Sequence, residues 1–218
     1  MNVETYIGVD VGSLRDFTAI SVVRKRFVTP DAWQENMYRE DGPTGRARYE
    51  LLYLNQLPIG VNYPAIVDEL HRVSNRPELP HASLILDATG VGKPVVDMLR
   101  DRGLNPIGVT ITGGHNVSNS AVGYSVPKRD LVSSLQVALH TGALRIAGSL
   151  QLASALQNQL SQFNAKPTRG GGETYEAVRE SVHDDLVLSV ALAVWYAQAM
   201  GGRLEMSDSY FVEDYEPL

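Results

Sequence analysis

The sequence predicts an α/β fold: a mixed five-stranded sheet, three antiparallel strands followed by two parallel ones, with helices on both faces. Three observations predict it. Three β-type runs come first, within residues 6–57. From residue 64 onward apolar runs alternate with helical spacing, and strands joined through helices run parallel. The chain has 218 residues, 44% of them hydrophobic, which suits one domain with a sizeable core.

The elements follow in order. Tyr6–Val11 is a short β-type run closed by Gly12, and Thr18–Val23 is a second, rich in β-branched residues. Gly12-Ser13-Leu14-Arg15-Asp16 between them has the length of a hairpin loop. Tyr49–Leu57 alternates apolar with polar and predicts a third strand, whereas Thr29–Arg48, with Pro30, Gly42, Pro43 and Gly45, reads as an irregular insertion. Pro64 suits the first turn of a helix that runs to Val73. Ser83–Leu86 is more uniformly apolar, as a central strand should be, and Asp87 ends it. Ala88-Thr89-Gly90-Val91-Gly92 then turns the chain into a helix from Pro94 to Asp101, stopped at Gly103. Pro106–Thr112 is the fifth strand, and Gly113–Gly123 is a glycine-, serine- and asparagine-rich loop. Pro127 opens a helix that ends at Thr141-Gly142, and Leu150–Phe163 has helical spacing through Leu152, Leu156 and Leu160. Two short extended pieces around Arg169-Gly170-Gly171-Gly172 predict a β-hairpin before the last helix. That helix starts at Asp184 or Asp185 and carries Leu186, Val187, Val190, Ala193, Val194 and Trp195. No repeat or linker divides the chain, so one domain is placed at 1–203 and an acidic tail at 204–218, with Glu205, Asp208, Glu213, Asp214 and Glu216.

The chemistry lies in the aspartates. Asp10 falls near the end of Tyr6-Ile7-Gly8-Val9-Asp10-Val11, and Asp87 closes Leu84-Ile85-Leu86. A charge in such a place is costly unless it is paired or bound to a cation. If strands one and four are neighbours, the two carboxylates lie side by side, and a metal ion is the common remedy for their repulsion. Hard ions such as Mg²⁺ and Mn²⁺ take oxygen ligands from a few carboxylates, waters and substrate phosphates. Asp184-Asp185 has a plain reading as the cap of an apolar helix. Beside Asp10 and Asp87, however, the pair also offers the third carboxylate that two ions require. Adjacent helical residues diverge by about 100°, so one of the two is expected to be the direct ligand. Asp16 is either an additional ligand or a turn aspartate.

These motifs carry a resemblance. Gly8-Val9-Asp10-Val11-Gly12 with Asp16-Phe17-Thr18-Ala19-Ile20, then Asp87-Ala88-Thr89-Gly90-Val91-Gly92, then His183-Asp184-Asp185-Leu186-Val187-Leu188, occur in an order and spacing similar to the C-terminal nuclease domain of tailed-phage large terminase subunits. The resemblance spans about residues 5–200. It implies a ribonuclease H-like fold and a Mg²⁺- or Mn²⁺-dependent endonuclease that cuts double-stranded DNA during viral genome packaging, in the cytoplasm of an infected or lysogenic host. It implies two ions held by Asp10, Asp87 and one of Asp184/Asp185, with Asp16 as a possible extra ligand, and two-metal phosphodiester hydrolysis. His183 then assists proton transfer, holds a carboxylate, or is a structural neighbour. The glycine hairpin at Arg169–Gly172 resembles one that lies beside the active site in that family. Implied partners are DNA, a packaging ATPase domain, and a portal or small terminase subunit. A full large terminase carries an N-terminal ATPase, whereas this chain starts at the nuclease-like strand, as an excised domain or a free-standing relative would.

Composition narrows the rest. There is no cysteine, which excludes disulfides, zinc–thiolate sites and thiol nucleophiles. The longest apolar stretch, Leu186–Ala199, is shorter than a membrane span, so no membrane partner is expected. Net charge is −6, which counts against a protein that grips nucleic acid over its whole surface. Basic residues cluster locally at Arg24-Lys25-Arg26, and Lys93, Lys128, Arg129, Lys166 and Arg169 are candidates for DNA-phosphate contacts or plain surface charges. Gly90-Val91-Gly92-Lys93 fails as a phosphate loop, because Asp87 and Pro94 stand where glycine and Ser/Thr belong. Trp195 and Tyr196 read as packing residues. The rival functions are an actin-like or sugar-kinase-fold ATPase, suggested by Gly8–Ser13 and Asp87–Gly92, and a junction resolvase of the same fold.

Overall fold

A computed structural model describes residues 3–13, 15–28, 46–120, 123–167, 173–177 and 184–207. Its centre is an eight-stranded sheet, in the order β6-β7-β5-β4-β1-β2-β3-β8. β1 (Val3–Asp10), β2 (Thr18–Val28) and β3 (Arg46–Leu57) form the antiparallel part. Helix α1 (Tyr63–Ser74) leads to β4 (Ser83–Asp87), which pairs parallel with β1, and α2 (Gly92–Asp101) leads to β5 (Ile107–Thr112), parallel with β4. The expected order of strands and helices, and the antiparallel-then-parallel pattern, are present.

The strand count differs from the expected five. β6 (Ser118–Ser120) and β7 (Gly123–Pro127) form a small antiparallel pair inside and beyond the predicted loop, and β7 pairs parallel with β5. β8 (Leu144–Ile146), after helix α3 (Lys128–His140), adds to the outer edge of β3. Two of these strands have three residues each, too few for an apolar alternation to show. β2 also runs five residues past its predicted end, through Arg24-Lys25-Arg26. Helix α4 (Ala153–Gln162) stops short of Phe163, which instead opens β9 (Phe163–Pro167); β9 pairs with β10 (Glu173–Ala177) as the expected hairpin. Helix α5 (Asp185–Ser207) follows. The hairpin turn with Arg169, the segment with His183, the insertion at 29–45 and the tail beyond Ser207 lie outside the described residues.

Strand periodicity divides the core. On one face Ile7, Val9, Ile20 and Val22 pack with Ile66, Val67 and Leu70 of α1 and Val95, Val96 and Leu99 of α2. On the other, Tyr6, Ala19, Val23, Ile85 and Val109 pack with Leu131 and Leu135 of α3, Leu156 of α4 and the apolar length of α5. Successive residues of a strand face opposite ways, so Tyr6, Gly8 and Asp10 share the α5 face, as do Ile85 and Asp87. α5 is apolar around most of its circumference, from Leu186 to Ala197, because it is covered by the sheet on one side and by α3 and α4 on the others. Trp195 is buried there, with its ring 5.5 Å from that of Tyr124.

Lys25 is the surprise of the core. It is 1% exposed, and its Nζ donates to the Ala197 carbonyl oxygen of α5 at 2.9 Å and lies 3.6 Å from Glu4 Oε2. It thus tethers β2 to the far end of α5 and contributes nothing to a basic surface.

Candidate metal centre

β1, β4, β5 and β7 are mutually parallel, so their carboxyl ends lie on one edge of the sheet. Ligand sites of open α/β sheets favour that edge. β1 and β4 stay in register to Val9 with Leu86, and Asp10 and Asp87 are the next residues of the two strands. The side-by-side placement expected for these two aspartates is therefore what the sheet produces.

α5 brings Asp184 and Asp185 to the same edge. A Cβ built on Gly8 would fall on the Ser189 carbonyl oxygen, so β1 and α5 touch backbone to backbone there. Further back along β1, the Tyr6 and Tyr196 rings lie 6.0 Å apart. The helix therefore runs opposite to β1. Two strand residues from Gly8 to Asp10 span about 6.6 Å, and four helix residues from Ser189 back to Asp185 span about 6 Å. The two rises match, and the first turn of α5 arrives over Asp10.

Asp87, Asp184 and Asp185 each have a protein donor. Asp87 Oδ1 accepts from the Thr89 backbone N–H at 2.8 Å, in a turn closed by Gly92, whose missing side chain lets it sit against the Asp87 carbonyl. Asp184 Oδ2 accepts from Lys128 Nζ at 2.7 Å. Asp185 is 5% exposed, and its Oδ2 accepts from Gln56 Nε2 at 2.6 Å. Gln56 lies on the same cross-sheet row as Asp10, through Ala19 of β2. Burial, then the charges of Asp87, Asp184 and Asp185, hold the Asp10 carboxyl well above the ordinary 3.8, with Lys128 opposing. Burial likewise raises Asp87, against the Thr89 hydrogen bonds and Lys128.

Asp184 is the residue before α5, and its carbonyl accepts the first helical bond, from Leu188 N–H. Its side chain is turned to Lys128, and the N–H groups of Leu186 and Val187 donate instead to Gln159 Oε1 of α4, at 3.1 and 3.3 Å. Capping by a neighbouring helix leaves the Asp184 carboxylate to the cluster.

The other predicted site residues fall as follows. Asp16 is exposed in the β1–β2 loop and accepts from Ser13 Oγ at 2.5 Å; the carboxylates acting on Asp10 are Asp87, Asp184 and Asp185. Lys93 is exposed on α2, 3.5 Å from Asp97. Arg129 is engaged by Asp130 and by His115. Lys166 is placed only as a β9 position opposite Thr174. Lys128, a candidate for a DNA-phosphate contact or a plain surface charge, lies against Asp184 of the carboxylate cluster. The contact of Lys128 with Asp184, and the roles of Gln56 and Gln159, were not legible in the sequence: Gln56 follows only once the strand register is known, and Gln159 once α4 is docked.

The donor chemistry fits a hard divalent ion: carboxylate oxygens, no thiolate, and strong mutual repulsion at Asp10 for a cation to relieve. Among the described residues, however, no three His, Asp or Glu side chains stand close enough to hold one ion as they are arranged. Protein donors hold Asp87, Asp184 and Asp185 instead.

The chain matches no protein-family model and no curated protein sequence. Solved structures share its fold. The large terminase nuclease of the thermophilic phage G20c is 22% identical, with a TM-score of 0.59 over 90% of this chain and 83% of that one. The nuclease domain of the Thermus phage P74-26 large terminase is 20% identical, with a TM-score of 0.58 over 88% and 78%. That of bacteriophage SPP1, determined with bound manganese, is 13% identical, with a TM-score of 0.51 over 89% and 86%. The chain has the ribonuclease H-like fold of these terminase nuclease domains.

Proposed function

We propose that this chain is a metal-dependent endonuclease that cuts double-stranded DNA, the nuclease part of a phage large terminase acting in genome packaging. One observation carries the reading: Asp10 and Asp87 leave adjacent parallel strands on the same face, under the N-terminal turn of the helix that carries Asp184 and Asp185. The shared fold supports it, and the G20c domain has also been determined with magnesium and with cobalt.

Asp10, Asp87 and the Asp184/Asp185 pair would hold two Mg²⁺ or Mn²⁺ ions. Bound there, the ions would supply an activated water and stabilise the charge developing on the departing 3′ oxygen. The chain's own residues orient the carboxylates: Thr89 for Asp87, Gln56 for Asp185, and the sheet backbone for Asp10. No side-chain nucleophile is needed, in keeping with a site made of aspartates. DNA, a packaging ATPase domain, and a portal or small subunit are its proposed partners.

The test is incubation of supercoiled plasmid with the protein in Mn²⁺, Mg²⁺ or EDTA, beside Asp87→Ala. Nicking and linearisation should need metal and vanish in the variant. Absence of cleavage together with ATP turnover would sink the reading.

A further inference from the structure

We infer that Lys128 is a built-in counter-ion of the carboxylate cluster, holding it together in the metal-free protein and yielding its place when a divalent cation binds. The inference rests on the metal-site reading above.

The placement is specific. Lys128 is the first residue of α3, directly after β7 ends at Pro127, and β7 lies two strands from β4 on the edge that carries Asp10 and Asp87. A lysine in the first turn of a helix opposes the helix dipole, which favours anions there. α3 already has its favourable acid in Asp130. The position is therefore unfavourable for α3 itself, and the carboxylates opposite offset it: Nζ lies 2.7 Å from Asp184 Oδ2, and its charge favours the ionised forms of Asp10 and Asp87. The Lys128 side chain is 30% exposed and that of Asp184 25%, so the ammonium can swing to solvent without a change in the fold. Among the described residues the aspartates do not close around a point by themselves. A monovalent cation tethered to the chain can neutralise one carboxylate of the set, whereas a divalent ion can gather several.

Lysine and metal should then compete. In the full chain, Lys128→Gln is expected to melt at a lower temperature than the wild type in EDTA, because the carboxylates lose their cation. In saturating Mn²⁺ the deficit should vanish or reverse. Calorimetric titration should show Mn²⁺ binding about tenfold tighter in Lys128→Gln, the order expected when one unit charge beside a divalent site is removed. Lys128→Arg, which keeps the charge, should stay within about twofold of the wild type. An ordinary surface ion pair would give a deficit that persists in Mn²⁺ and an unchanged affinity; either result overturns the inference, as does weaker Mn²⁺ binding. If the wild type itself shows no Mn²⁺-dependent heat or thermal shift that Asp10→Asn removes, the metal-site reading fails, and this inference with it.

Discussion

At Asp10 two demands conflict. The residue closes a strand whose neighbours are core, yet it faces three more carboxylates. The folded protein keeps a proton on Asp10 at a pH where the unfolded chain has released it. The stability from that group is therefore complete below about 3.8 and is lost as pH rises through the higher folded value. Asp10→Asn should accordingly raise the melting temperature of the metal-free protein near neutral pH, by about 2–4 °C for each kcal/mol relieved, while abolishing cleavage. The gain should disappear toward about pH 4. Melting curves in EDTA across that range check this; a variant less stable than the wild type at neutral pH would show that repulsion does not govern the site. Asp10 and Asp87 were visible in the sequence because a charge ending an apolar strand stands out. The place of Lys128 among the carboxylates was not, since a lysine after a proline looks like any solvated helix start until the fold sets it against Asp184. Lys25 misled for the converse reason: in a basic triplet nothing marks the middle residue as the one that turns inward.

The elements deliver those residues, and two positions set how well α5 does so. Gly8→Ala would drive a methyl group into the Ser189 backbone and lift the first turn of α5 from the sheet. We expect a cost of about 1–3 kcal/mol, read from the urea midpoint, and a loss of cleavage out of proportion to it. Gly148→Ala, exposed with nothing within 4 Å, should stay within about 0.5 kcal/mol. Gln159→Ala should cost about 1 kcal/mol, as the loss of a helix cap does, and hydrogen exchange should quicken at Leu186 and Val187 before it does in the middle of α5. The long elements were legible from periodicity and from Pro and Gly punctuation. β6 and β8 were hidden by their length, and the end of β2 by charges that follow the strand alternation only once α5 is in place.

Over the whole molecule the charge is −6, and Lys93, Lys128 and Arg129 are each engaged by acidic side chains. Affinity for duplex DNA in EDTA should therefore be weak, and its logarithm should fall with the logarithm of salt at a slope no steeper than about −3, against about −0.9 per phosphate neutralised. Fluorescence anisotropy across a salt series decides this, and a steep slope would reveal a basic surface that these residues do not form. The topology was legible in outline because helices between strands demand parallel pairing; which strand flanks β1 was not, and on that neighbour the pairing of Asp10 with Asp87 depends. The alternation of β1 has one more consequence. A slip of one residue against β2 and β4 would turn Asp10 inward toward the face where Val95 and Leu70 pack, a cluster of apolar side chains of α1 and α2. The cost of placing that polar carboxyl group among apolar side chains thus gives β1 one register, a constraint on the sheet that is separate from any role in metal binding.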